Sequence, residues 1–427
     1  MKIRFYHAKI MTMQTDFEIS EGEVWVEHNR ITYVGPGSGG VLRKQPDWDR
    51  EIDVEGNLMM PGFKNAHTHS PMTFLRSYAD DLPLQEWLNR QVFPMEAKLV
   101  PEDVVWLAKL AIMEYLTSGI TSNFDMYFHQ DQVVQASVET GFRTVLVSGL
   151  NDFVSSLEEL EANYEKYQDY HERIGYRLGF HAEYTTSEKL LRGVAALAEK
   201  YHAPVFTHNS ETAAEVAGCM ARHGMTPTAY LDSLGMFAYG GGGYHCVHMS
   251  EEDLEIFEKR GLTAVTNPGS NMKLASGTAP VAQMLERGIS MAIGTDGPAS
   301  NNCLDMFREM FLVTGLAKLR ERDASAVPAE QVLAMAVRGG ARAMGLEDCD
   351  CLAEGKLADL IVIDLQQPNM QPLNHIARNL VYSGSKQNVQ LTMVNGQILY
   401  EKGTFHIGAE PGDVYRKVNE IIGKYRA

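Results

Sequence analysis

The feature that most restricts the fold of this chain is an alternation that begins at residue 57, where short apolar runs rich in β-formers take turns with longer stretches of helical period. Eight runs read as strands: 58–67 (LMMPGFKNAH), 119–125 (GITSNFD), 143–150 (RTVLVSGL), 176–184 (YRLGFHAEY), 203–209 (APVFTHN), 242–248 (GGYHCVH), 262–269 (LTAVTNPG) and 290–297 (SMAIGTDG). Between them lie stretches such as PEDVVWLAKLAIMEYLTS and SEKLLRGVAALAEKYH, with apolar residues three and four apart that give a helix one buried stripe. Eight strand and helix repeats predict an α/β fold, a (β/α)8 TIM barrel of about 250 residues with its functional groups at the carboxyl ends of the strands.

The chain ends have another texture. KIRFYHAKIM, GEVWVEHNRITYVG and REIDVEG are short strands between turns, and β character returns in LADLIVIDL and NVQLTMVNGQILYEKG after a last helical stretch, PAEQVLAMAVRGGARAMG. The expected organisation is a small β-sandwich domain built from residues 1–56 and 351–427, the second part ending in a helix, around a barrel of residues 57–350.

No segment offers the roughly 18 uninterrupted apolar residues of a membrane span, and the start, MKIRFYHAKI, has no apolar core of a secretory signal. The five cysteines, Cys219, Cys246, Cys303, Cys349 and Cys351, are odd in number and scattered, which suits free thiols in a reducing cytoplasm. Cys349 and Cys351 lack the second ligand pair of a zinc ribbon. A formal net charge of −17 opposes binding to nucleic acid and favours a small-molecule partner.

Histidines carry the chemistry. Of fourteen, His67, His69, His181, His208 and His245 fall at the carboxyl ends of expected barrel strands. Residues two apart in an extended segment face the same way, so His67 and His69 can converge on one ion, although isolated H-x-H pairs also arise by accident on surfaces. In THNSET, His208 and Glu211 can enter one pocket as an imidazole ligand and a carboxylate that reaches water; the alternative is a helix start capped by Thr207 or Ser210 with Glu211 in its first turn. Asp296, in GTDGPASNN, can complete a site of three histidines and one aspartate, or can be a turn residue before Gly297.

Taken in order, PGFKNAHTH, THNSET, YHCVH, NPGSNMKLASGTAP and GTDGPASNN resemble the motifs of the amidohydrolase superfamily, in particular its methylthioadenosine and S-adenosylhomocysteine deaminases, over nearly the full chain. The resemblance implies that His67, His69, His208 and Asp296 hold one divalent metal ion per subunit. Zinc is the ion its ligand types favour, and Fe2+ or Mn2+ are compatible. It implies that Glu211 is the acid/base, that Asp296 relays a second proton, and that His245 is a hydrogen-bond donor to the attacking oxygen or the forming oxyanion. Trp87, Glu96, His181 and Ser300 match positions at the substrate, with Glu96 on ribose hydroxyls, and the assembly expected is a homo-oligomer. His248 has no role in the pattern. The expected reaction is hydrolytic deamination of an adenine nucleoside. Alternatives are deamination of guanine, 8-oxoguanine, a pterin or cytosine, triazine chlorohydrolysis, and a barrel that binds without catalysis.

Two departures bear on substrate. The arginines that hold an amino-acid carboxylate in relatives are missing from residues 145–160 (VLVSGLNDFVSSLEEL). Either Arg143 or a residue elsewhere replaces them, or the substrate lacks that tail, and the second is preferred. Glu183, in HAEY, stands where a proline or small apolar residue is usual, and is expected to face solvent.

Overall fold

Strands covered on both faces need no alternation, which is why the barrel strands read as unbroken runs: every residue of Ile120–Met126 and of Arg143–Val147 is buried. The computed structural model describes residues 1–37 and 47–426. In chain order, β1 (Lys2–Met11), β2 (Ile19–Glu27), β3 (Arg30–Gly35), β4 (Arg50–Asp53) and β5 (Leu58–Pro61) come first. The barrel strands follow: β6 (Phe63–Thr68), β7 (Ile120–Met126), β8 (Arg143–Val147), β9 (Ile174–Ala182), β10 (Val205–Asn209), β11 (Gly241–His245), β12 (Thr263–Thr266) and β13 (Ser290–Ile293). Last come β14 (Leu360–Ile363), β15 (Val389–Val394), β16 (Gln397–Glu401) and β17 (Thr404–Phe405).

Strands β6 to β13 pair in sequential order, all parallel, with helices on the outside. The seam between first and last strands closes just beyond β13. There Asp296 N donates to His67 O (3.0 Å), Thr295 N donates to Asn65 Oδ1 (2.8 Å), and Asn65 Nδ2 donates to Thr295 Oγ1 (2.8 Å). A side-chain amide thus takes the place of ladder bonds.

Both chain ends meet in a second sheet, as their texture predicts. Its order is β17-β16-β15-β14-β5-β1-β2-β3, with β4 on β1. Ile31 N donates to Lys356 O (2.9 Å) and Ala358 N to Asn29 O (2.9 Å), which brings β3 back to the segment entering β14, so the sheet curls around its own core of Phe5, Val24, Ile31, Leu360 and Met393. Two expectations need correction. The run 58–67 is divided at Gly62: Leu58–Pro61 pairs with β14 and β1 in the terminal sheet, and only Phe63–Thr68 enters the barrel. The final helix, Pro411–Arg426, packs on the barrel helix Pro101–Thr117 instead of on the small sheet, with Val100 N donating to Tyr425 Oη (3.2 Å).

A buried ion pair joins the two units. Arg143, the first residue of β8, donates from Nε to Asp359 Oδ2 (2.7 Å) and from Nη2 to Asp359 Oδ1 (3.0 Å), and the two residues are 2% and 1% exposed. All five cysteines are free thiols, and no helix among the described residues is long and apolar enough to cross a membrane.

Candidate active site

The carboxyl ends of β6, β10, β11 and β13 bring His67, His69, His208, His245 and Asp296 to one place, as the sequence predicts. One ligand atom from each of His67, His208, His245 and Asp296 lies within 4.8 Å of the others, and all four residues are buried. His69, outside that tightest foursome, still shares the carboxylate: Asp296 Oδ1 is 3.2 Å from His69 Nε2 and 3.4 Å from His67 Nε2. This closeness has a backbone cost. His245 and Asp296 take φ of +69° and +59°, a region that costs a non-glycine residue roughly 1–2 kcal/mol. Gly294 is required sterically, because a Cβ there would stand 2.4 Å from Asn267 Oδ1 and 2.7 Å from His67 Cβ.

Hydrogen bonds on the far side of the His69 and His208 rings fix which nitrogen faces inward. A main-chain carbonyl only accepts, so the contacts from His69 Nδ1 to Met126 O (2.5 Å) and from His208 Nδ1 to His181 O (2.7 Å) place the protons on Nδ1 and turn a lone pair at Nε2 into the site. His67 stacks on Tyr244 at 3.8 Å, and both of its ring nitrogens are buried without a hydrogen-bond partner. Burial, then the neighbouring His69, pushes His67 down to about 3 despite Asp296, and burial drives His208 well below its ordinary value. For Asp296, burial is outweighed by His67 and His69, and its carboxyl is held well below the usual range. Neutral imidazoles beside an ionised carboxylate, one of them with orphaned nitrogens, are a donor set that fits a divalent metal ion.

Glu211 lies in the same buried site. Its Oε2 is 3.8 Å from His245 Nε2, its Oε1 accepts from Ser276 Oγ (3.1 Å), and burial raises its pKa against the pull of His245. It does not belong to a helix start. Thr212 is the N-cap of helix Ala213–His223, and Glu215 completes the capping box, so neither Thr207 nor Ser210 caps it. Glu215 also accepts from Ser210 N (2.9 Å) and Glu211 N (2.8 Å), which holds the Glu211 turn.

The segment after β12, from Asn267 to Ser276, contributes more than the sequence reading assigned to it. Ser270 Oγ donates to Asp296 Oδ2 (2.6 Å), Asn271 Oδ1 meets His245 Nδ1 (2.7 Å), and Ser276 holds Glu211. Three polar residues of one quoted motif thus orient three groups of the site. The cluster of serine and asparagine just past a barrel strand was the signal.

The other expected residues are distributed as follows. Ser300 Oγ donates to Asp296 Oδ2 (2.7 Å). His181 is 4.8 Å from the His208 ring, its Nδ1 meets Thr185 Oγ1 (2.9 Å), and burial, then His69, pushes it down to about 4. Glu96, half-buried, lies beside Tyr127, and burial pushes it up to about 7 against Tyr127 and His69. Trp87 is buried in the apolar core, in the helical turn Leu84–Trp87. Tyr184, which the sequence did not single out, borders Glu211 and Gln85, and burial first, then Glu211, raises it well above its ordinary value.

Two substrate arguments change. Arg143 begins β8 at the opposite end of the barrel from these groups and is bound to Asp359, so it cannot hold a substrate carboxylate. Glu183 does not face solvent. It is 4% exposed, pairs with Arg222 (2.5 Å) and lies 3.3 Å from His223 Nε2, fastening the end of β9 to the helix that follows Glu211.

An eight-stranded parallel barrel with histidines and an aspartate converging at its carboxyl mouth defines a hydrolase-type (β/α)8 barrel. The chain belongs to the amidohydrolase family, whose model matches residues 58–399. It is 42% identical over 413 residues to a 5-methylthioadenosine/S-adenosylhomocysteine deaminase of Moorella thermoacetica, covering 95% of this chain and 96% of the relative. It is 40% identical over 400 residues to a 5′-deoxyadenosine deaminase of Methanothermobacter thermautotrophicus, covering 91% of each. The crystal structure of an adenosine deaminase from Xanthomonas campestris with bound zinc superimposes with a TM-score of 0.93 at 32% identity, covering 100% of this chain and 98% of that one.

Proposed function

We propose that this protein is a metal-dependent aminohydrolase that deaminates an adenine nucleoside to the inosine analogue and ammonia. The observation that carries the reading is the buried Glu211 carboxylate, set 3.8 Å from His245 inside the same site as Asp296. Relatives named for methylthioadenosine, S-adenosylhomocysteine and 5′-deoxyadenosine support the substrate class.

In this reading His67, His69, His208 and Asp296 hold one divalent ion per subunit, zinc by the chemistry of the donors, with Fe2+ or Mn2+ compatible. His69 is preferred over His245 as the third imidazole because His245 Nε2 faces Glu211 Oε2. When bound, the ion supplies the Lewis acidity that makes water nucleophilic at neutral pH. Glu211 takes a proton from the attacking water and delivers it to the ring nitrogen beside the amino-bearing carbon. The upward shift of Glu211 brings its proton affinity closer to that task. His245, oriented through Nδ1 by Asn271, is the hydrogen-bond partner of the attacking oxygen, and Asp296 passes the second proton to the departing amine. Trp87, His181 and Ser300 shape the pocket, and Glu96 binds ribose hydroxyls. Arg143 is committed to Asp359 and Arg222 to Glu183, which favours nucleosides without a carboxylate tail, such as 5′-deoxyadenosine, methylthioadenosine or adenosine. The same reading gives a cytoplasmic homo-oligomer that acts on small molecules.

The test is ammonia release from adenosine, 5′-deoxyadenosine, methylthioadenosine, S-adenosylhomocysteine, adenine, guanine, 8-oxoguanine, a pterin and cytosine, and chloride release from a chlorotriazine, for the wild type and Glu211→Gln. Turnover of the adenine nucleosides that collapses in the variant with its metal retained is expected. Release only from other heterocycles would transfer the reading to those deaminases. Bound metal with no product from any compound would leave a binding barrel.

A further inference from the structure

His248 is the second histidine of YHCVH and has no part in the reaction just described. It is half-buried three residues past His245, and it touches both loops that flank Glu211. Its backbone N donates to Ser210 O (2.9 Å), the residue before Glu211, alongside Val247 N on the same carbonyl (3.2 Å). Its ring Nε2 lies 2.7 Å from Ser276 O. A carbonyl only accepts, so Nε2 carries the proton and donates. Ser276 in turn donates through Oγ to Glu211 Oε1 (3.1 Å), and its own N donates to Asn271 O (2.8 Å). Asn271 is the residue that meets His245 Nδ1.

These contacts form one continuous bracket from His248 to Ser276 and on to Glu211. The next residue, Gly277, makes the approach possible: φ is +128°, and a Cβ would stand 2.9 Å from Val247 Cγ1 and 3.6 Å from His248 Nε2. Ser276 occupies one oxygen of Glu211, Oε1, while the other, Oε2, faces His245 Nε2. The two carboxylate oxygens are therefore not equivalent, and the free one points at the reacting groups.

We infer that Ser276 and His248 are positioning residues for Glu211: Ser276 anchors Oε1 so that Oε2 moves the proton, and His248 holds Ser276 in place through its main-chain carbonyl. The inference rests on Glu211 being the proton carrier. Neither residue contacts the reacting atoms. Their loss therefore acts on the chemical step more than on binding.

The experiment compares steady-state kinetics of metal-loaded wild type, Ser276→Ala, Ser276→Thr, His248→Leu, His248→Gln, Ser276→Ala/His248→Leu, Glu211→Gln and Ser276→Ala/Glu211→Gln, on the best nucleoside of the panel above. Ser276→Ala and His248→Leu should each lower kcat roughly tenfold, the effect of losing one hydrogen bond, with KM within about twofold. Ser276→Thr keeps the hydroxyl, and His248→Gln keeps a donor near the position of Nε2, so both should recover most of the loss. The double variant Ser276→Ala/His248→Leu should be little worse than either single variant, because both act through one contact. Ser276→Ala should cost nothing further in Glu211→Gln. Wild-type kcat in Ser276→Ala, a loss in KM alone, or losses that multiply in the double variant would overturn the inference while Glu211→Gln remains inactive. Full activity of Glu211→Gln would instead overturn the reading beneath it. If His248→Leu fails to fold, the serine series decides.

Discussion

Replacing Arg143 by methionine should weaken the joint between barrel and terminal sheet and leave the chemistry alone. The substitution deletes a two-pronged ion pair in which both partners are almost fully buried, and it strands Asp359 with Asn395 N (2.7 Å) among its donors. Breaking one side of such a pair costs about 3–5 kcal/mol. Unfolding entropy scales to about 0.9 kcal/mol/K for a chain of this length, so the melting midpoint should fall by roughly 3–6 °C if the chain unfolds as one unit. Arg143→Met/Asp359→Leu should recover most of this, since a buried pair exchanged for apolar side chains is often neutral. The pH dependence gives a second reading. Burial opposes ionisation of Asp359, but Arg143 outweighs it and holds the carboxyl below 3.8. In the wild type this stability is present at neutral pH and is lost as pH falls through that depressed value. In Arg143→Met burial is opposed only by Lys64 and the Asn395 N–H, so the carboxyl should move upward and the variant should gain stability relative to wild type on mild acidification. Thermal melts from about pH 8 down to about pH 3 test both statements. An unchanged midpoint together with a large rise in KM would refute the argument and return Arg143 to the substrate.

Glu309 accepts from Gly269 N (2.9 Å) and Asn301 Nδ2 (2.9 Å), and burial pushes it up to about 7. Its folded value lies above the 4.5 of the unfolded chain, so its contribution to stability should fall by about 3 kcal/mol as pH rises across that window. Glu309→Gln should remove this slope from the melting curve, and identical profiles would contradict it. Chelation should abolish ammonia release and lower the melting midpoint, with zinc restoring both; Asp296→Ala should lose bound metal by elemental analysis, and a stoichiometric ion would count against its role as a ligand. Glu96→Ala should reduce kcat/KM for adenosine at least tenfold more than for adenine, the scale of a charged hydrogen bond to a hydroxyl of roughly 1.5–3 kcal/mol. Equal losses on both compounds would remove Glu96 from the ribose.

Much of this was legible in the chain because barrel strands are local. Each apolar run and the polar residue at its end are neighbours in sequence, so the sequence alone points His67, His208, His245 and Asp296 to one mouth. Features set by distant partners were not. Arg143 and Asp359 are 216 positions apart, and Glu183 and Arg222 are 39 apart, with nothing local to announce either pair. The run from Leu58 to His67 hides its division because strands of two different sheets follow each other with one glycine between them. Ser270, Asn271 and Ser276 were visible as polar residues, but their targets depend on how the segment after β12 folds back over Glu211, His245 and Asp296.

The seam of the barrel has a consequence for how the protein comes into being. His67 and His69 are made early and Asp296 late, and the strands that carry them meet through Asn65 and Thr295 with few main-chain bonds of their own. A chain emerging from the ribosome holds two imidazoles with no carboxylate opposite them until β13 has been synthesised and docked. An ion gripped from both sides would then rivet the barrel shut. With the proposed ligands, metal loading would be coupled to completion of the barrel, and the bound ion would be held across the seam between its first and last strands.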